Sequence, residues 1–201
     1  MAKTRVPFDA KSVHYALITS VDPITKIPTY GDWKPINCPT EFSAEAVGEI
    51  SSFYCGGGVG AKFSSNGGYT GTITGSMIDE DFILDVLGNV KEQATGIVFE
   101  DANVQPKNFG LKFVHSFKED DAETKDIAFI YYNCVATRPG KNNSTKTETI
   151  EGGTEEISIT MTPLLTDPAI VKAYAVEGDG TAFDAIKQGV VLPDALNLPT
   201  P

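Results

Sequence analysis

Apolar and polar residues alternate in short runs along most of this chain, and glycine, proline and acidic turns separate the runs, the pattern of an antiparallel β protein. Residues 13–19 are β-branched and aromatic. They stop at a polar, proline-bearing turn over residues 20–28, and residues 29–34 resume, which predicts a strand, turn, strand unit. Residues 41–47 alternate as a half-buried strand does, and residues 69–78, rich in Thr with Tyr69, Ile73, Met77 and Ile78 distributed along them, predict another. Between these two, residues 51–68 read as a long glycine-dense loop in which Phe53, Tyr54 and Phe63 sit beside a backbone free to bend. Its composition leads to the expectation that it orders only on assembly.

The period changes at residues 79–88. Asp79 is placed to cap a helix, Glu80 and Asp81 complement its positive end, Gly88 closes it, and Phe82, Ile83, Val86 and Leu87 share one face. Residues 97–100, 109–117, 126–137 and 148–162 then predict strands, parted by residues 101–107, the acidic stretch 119–125 and the polar stretch 138–147. Beyond Pro163 the pattern weakens to one more strand over 171–176, a short helix over 181–188 and a tail over 193–201. No fixed-period repeat and no compositional break divides the chain. The residues therefore predict a mainly β (α+β) protein with one packed helix.

At 201 residues the chain can bury about 70% of its unfolded surface, so it needs no disulfide framework. Its three cysteines, Cys38, Cys55 and Cys134, are odd in number and lack a C-x-x-C pattern, which reads as buried or half-buried free thiols in a reducing compartment. The start of the chain is basic and polar without an apolar segment behind it, and no apolar run approaches the ~20 residues that cross a bilayer, so neither secretion nor membrane spanning is expected. The net charge of −11 opposes tight nucleic-acid binding.

Candidate chemistry is sparse. Residues 56–62 (GGGVGAK) miss the phosphate-loop spacing and lack the Ser or Thr after the lysine. His14 and His115 each fall in a predicted strand with no partner at metal-ligand spacing, and Asp79, Glu80 and Asp81 are explained as helix-start residues. The acidic run around Glu119–Glu123 reads as a solvated turn, Cys134 as a buried thiol and Trp33 as a core or interface anchor. The glycosylation pattern at Asn142 and Asn143 has no consequence without secretion. No nucleophile, base and orienting group can be named together, so an enzyme is not expected and no cofactor or metal is assigned.

Five segments in order carry a resemblance. They are Val13-His14-Tyr15-Ala16-Leu17-Ile18 with Pro28-Thr29-Tyr30-Gly31; Ser64-Ser65-Asn66-Gly67-Gly68-Tyr69-Thr70-Gly71; Asp85-Val86-Leu87-Gly88; Glu100-Asp101-Ala102-Asn103 with Gln105-Pro106-Lys107; and Tyr132-Asn133-Cys134-Val135-Ala136-Thr137-Arg138-Pro139. From about residue 13 to residue 163 the chain resembles the major tail tube protein of long-tailed, non-contractile bacteriophages and prophages of Gram-positive hosts. The resemblance implies a virion structural protein with two packed antiparallel β-sheets and a flanking α-helix. It also implies hexameric rings stacked around a tape-measure protein, tail-terminator and distal tail proteins as further partners, and DNA that passes through the lumen without specific binding. Assembly would take place in the host bacterial cytoplasm.

By the same resemblance, residues 1–163 form the tube domain, with an arm over 1–12, an assembly loop over 51–68 and the helix over 79–88. Residues 164–201 match no family pattern and are set apart as an extension. Phe53, Tyr54, Phe63, Asn66 and Tyr69 are the candidate inter-subunit contacts, the aromatics because such side chains contribute disproportionately at interfaces. Carboxylates facing the lumen would discourage DNA from adhering. The rival from another class is a carbohydrate-binding β-sandwich module of a phage or bacterial protein, built around Trp33, Tyr30 and the acidic turn.

Overall fold

The computed structural model describes residues 5–55, 58–119, 123–141 and 153–189. Among the described residues, fourteen strands and two helices follow in chain order. The first seven strands are β1 (Arg5–Val21), β2 (Pro28–Tyr30), β3 (Lys34–Ile36), β4 (Pro39–Val47), β5 (Ile50–Cys55), β6 (Gly58–Ser64) and β7 (Gly68–Gly75). After α1 (Glu80–Asp85) come β8 (Val90–Lys91), β9 (Val98–Phe99), β10 (Phe109–Glu119), β11 (Thr124–Ala136), β12 (Gly140–Lys141), β13 (Glu155–Met161), β14 (Lys172–Val176) and α2 (Ala182–Gln188). The fold is mainly β and antiparallel throughout.

Ten strands belong to one hydrogen-bonded sheet along the path β2-β1-β10-β11-β13-β7-β4, with β3 on β1, β14 on β11 and β12 on β13. The sheet folds over on itself. Phe42 on β4 lies 4.3 Å, ring to ring, from Phe113 on β10, although three strands separate them along the path. The turn-over occurs at β11, whose residues 127–131 pair with β14 while residues 134–136 pair with β13. The two expected sheets are therefore two layers of one continuous sheet.

Between the layers lie Tyr15, Phe109, Leu111, Tyr131 and Cys134 from one side and Ile73, Ile157, Ile159 and Met161 from the other. Helix α1 closes this core with Phe82, which meets Tyr15 edge-on at 4.9 Å and Phe109 at 5.6 Å. Val114, Ala128, Ile130 and Tyr132 face the opposite way and are covered by Leu164, Ala175, Phe183 and Ile186. Strands β10 and β11 are thus covered on both faces, which is why successive residues of each are buried instead of alternate ones. Fully burying each large apolar side chain contributes about 1.5–3 kcal/mol.

Several expectations change. Residues 164–189, set apart as an extension, supply β14 and α2 and pack on the central strands. Residues 5–12, expected as an arm, continue β1 and pair with β10. The sequence loop over 51–68 contains a paired β5–β6 hairpin. Its flanking glycines answer crowding at the hairpin root: a Cβ on Gly48 would lie 2.3 Å from the Ser65 carbonyl oxygen, and one on Gly68, at φ +99, 2.0 Å from that of Met161. Asp79 does not cap α1 with its side chain; its carboxylate accepts hydrogen bonds from the Asn37 backbone N–H and side-chain amide, at 2.7 and 2.9 Å. The tail over 193–201 and the first part of the strand expected over 148–162 lie outside the described residues.

Candidate interaction surface

The β5–β6 hairpin stands off the folded sheet. It grows from the end of β4, and its root is closed by hydrogen bonds from the Ser65 N–H to the Glu49 carbonyl and from the Gly67 N–H to the Val47 carbonyl. Ile50, Phe53, Tyr54 and Phe63 on it are 76%, 61%, 70% and 62% exposed. Among the described residues, none of the three rings makes a ring contact with the body. Four large apolar side chains held in water on one narrow hairpin make it the candidate interaction surface. Residues 50–64 carry a single charged side chain, that of Lys62.

The other two candidate contacts lie at the root. The Asn66 side-chain oxygen accepts from the Gly68 N–H at 3.1 Å, an Asx turn that aims the chain into β7. Tyr69 is half-buried, edge-on to Tyr131 at 5.6 Å, with the Lys172 ammonium 4.3 Å above its ring. The structure therefore separates the five: Phe53, Tyr54 and Phe63 project, whereas Asn66 and Tyr69 fix the hairpin to the body.

A second apolar surface was not visible in the sequence. Where β4 comes back beside the first residues of β1, an open groove of about 530 Å³ remains between them, with Phe8, Phe42, Phe113, His115, Phe129 and Tyr131 in its lining. Phe113 and Phe129 stack at 4.8 Å with planes 4° apart, and His115 stacks on Phe129 at 5.3 Å. Burial holds the pKa of His115 below the ordinary histidine value. The available signal was the period-two pairs Phe113/His115 and Phe129/Tyr131; no local pattern shows that β4 will lie opposite them.

No family model matches this chain. No curated protein matches it either. Several solved chains resemble it, two of them at low identity as follows. One is the cap that terminates the tube of an anti-feeding prophage, at 12% identity over 87% of this chain and 94% of that one, with a TM-score of 0.41. The other is the sheath/tube terminator of an extracellular contractile injection system in its extended state, at 12% identity over 85% and 97%, with a TM-score of 0.38. The functional reading is built on this chain's own residues.

The remaining candidates take structural places. Trp33 stacks on Tyr30 at 5.9 Å, and both rings press on Gly110, where a Cβ would come within 2.6 Å of Tyr30. Lys112 covers the Trp33 ring at 4.1 Å and donates to the Lys187 carbonyl at the end of α2. His14 is half-buried, its pKa lowered by burial and by the Lys112 charge. Cys134 is fully buried, which pushes its thiol pKa up and leaves it inert, whereas Cys38 and Cys55, expected buried or half-buried, are free but exposed, on the turn before β4 and at the end of the hairpin strand β5. Among the described residues, no group of three His, Cys, Asp or Glu side chains is placed to hold a metal ion, and no helix is long and apolar enough to cross a membrane. Residues 58–62 of the glycine-rich stretch lie on β6; residues 56–57, 120–122 and the Asn142–Asn143 pattern are outside the described residues.

Proposed function

We propose that this chain is a phage-tail structural subunit that polymerises with itself as hexameric rings stacked into the tail tube through which DNA is delivered. The protruding hairpin with its exposed apolar side chains carries the reading. Leaving these side chains in water is unfavourable by about 25 cal/mol per Å² of apolar surface, and association with a further surface recovers that energy. The ordered motif resemblance supplies the kind of assembly, and it implies a tape-measure protein within the tube and terminator and distal tail proteins at its ends. The surrounding architecture suits a building block: a continuous folded sheet covered on both faces at its centre, with β4 at one end of the strand path.

The carbohydrate-binding rival loses its platform in this reading, because Trp33 and Tyr30 pack on Gly110 and beneath Lys112. Electron microscopy and sedimentation of the purified protein test the proposal. Hollow tubes of stacked rings are the expected product; a protein that stays monomeric at every attainable concentration and retains a glycan column would sink it.

A further inference from the structure

We propose that the groove between β4 and the start of β1 receives the β5–β6 hairpin of a second copy of this chain. This rests on the reading of the chain as a self-assembling subunit, and it names the two surfaces that meet. The groove is lined by aromatic rings, and Phe8 at its lip is 47% exposed. The hairpin offers Phe53, Tyr54 and Phe63 with most of their surface in water. Phe113 and Tyr131 form the buried floor, while Phe8, Phe42, His115 and Phe129 keep surface open to edge-to-face and offset contacts with the incoming rings. Charge agrees with this pairing. Glu41 is the acidic residue of the groove lining, and the hairpin's one charge is Lys62, so a chain of net charge −11 offers a cation to that carboxylate, while the Lys172 ammonium stays beside the floor, 5.9 Å from the Tyr131 ring.

The contact is made by side chains, not by an added strand. Both strand edges beside the groove carry features that oppose backbone pairing: Pro7 and irregular register between Phe8 and Ser12 on β1, and Pro39 with a register shift before Glu41 on β4. Asp9, at φ +56, bends the β1 edge further. An extended donor segment would find few aligned partners there, whereas projecting rings need none. The hairpin and groove also belong to different parts of the subunit, since the hairpin leaves β4 after Val47 while the groove takes residues 40–44 of that strand. A knob on one site and a hole on another make a head-to-tail contact, which repeats into a ring or a filament.

Two variants and their mixture test this. Phe53→Ala/Phe63→Ala removes the knob and leaves the groove; Phe8→Asp places a charge at the exposed lip and leaves the hairpin. Each alone is expected to raise the concentration needed for assembly by on the order of tenfold or more. Circular dichroism should show each folded as the wild type is. Mixed, the two should form a 1:1 dimer by sedimentation that grows no further, because each supplies the half the other lacks. Wild-type tubes together with variants that assemble like the wild type, or a mixture that yields no dimer, overturn the groove assignment alone. A wild-type protein that never assembles overturns this inference and the assembly reading together.

Discussion

At the scale of single residues, the most consequential polar group in the subunit is Asp85. Its Oδ2 accepts from the buried Tyr15 hydroxyl at 3.0 Å and from the Lys34 ammonium at 2.6 Å. The lysine is half exposed, so its ion pair contributes little in water; the buried hydroxyl, left unpaired, costs far more. Asp85→Ala should therefore destabilise the subunit by about 1–3 kcal/mol in urea unfolding, and Tyr15→Phe by less, because it leaves no orphaned donor. Lys112 behaves differently. It is only 6% exposed, and burial holds its pKa below the ordinary 10.5. The unfolded chain binds more protons between the folded value and 10.5, so this group adds stability as pH rises through that window. Lys112→Met should remove this contribution, so that the urea midpoint of the variant gains less, or loses more, than that of the wild type between about pH 8 and about pH 10. Neither residue's partner was legible in the sequence. Asp85 read as a helix residue and Lys112 as one polar position in a strand, and only the packing of α1 on β1 and of α2 on β10 gives each its role.

At the scale of elements, the hairpin and the core are energetically separate, because the large side chains of β5 and β6 lie in water while those of β7, β10, β11 and β13 are buried. Replacing residues 51–64 by a short glycine–serine turn should leave the thermal midpoint within a few degrees of the wild type, by differential scanning calorimetry, while abolishing tube formation. A large drop in the midpoint would show that the hairpin supports the fold. The long strands were legible because β10, β11, β13 and β14 are rich in β-branched and aromatic residues, to which β13 adds a period-two burial. Helix α1 was legible from its apolar spacing, and α2 only as a short helix over 181–188. The hairpin was hidden by its own glycines, which look like freedom in the sequence and serve close backbone approach at its root. Strands β3, β8 and β12, of two or three residues, have too few positions to show a period. The groove was illegible for a further reason: its lining comes from β1, β4, β10 and β11, and the fold-over that unites them is set by the divided pairing of β11.

For the whole molecule, net charge and apolar contact act in opposition. Each copy carries −11, so neighbours repel at long range, while the hairpin offers attraction only on contact. Salt shortens the Debye length from about 30 Å at 0.01 M to about 8 Å at 0.15 M. Raising ionic strength over that range should therefore lower the concentration at which tubes form, as followed by light scattering; assembly that weakens with salt would mean that ion pairs dominate the joint. The fold-over at β11 has a mechanical consequence as well. The hairpin root passes into β4 and β7, β7 pairs with β13, and β13 pairs with β11, which also holds β10 and β14. A pull on the hairpin is thus resisted across successive ladders of hydrogen bonds that converge on one strand, so β11 serves as the tie-beam of the fold, and tension applied at the hairpin is spread through the body before any single ladder has to give.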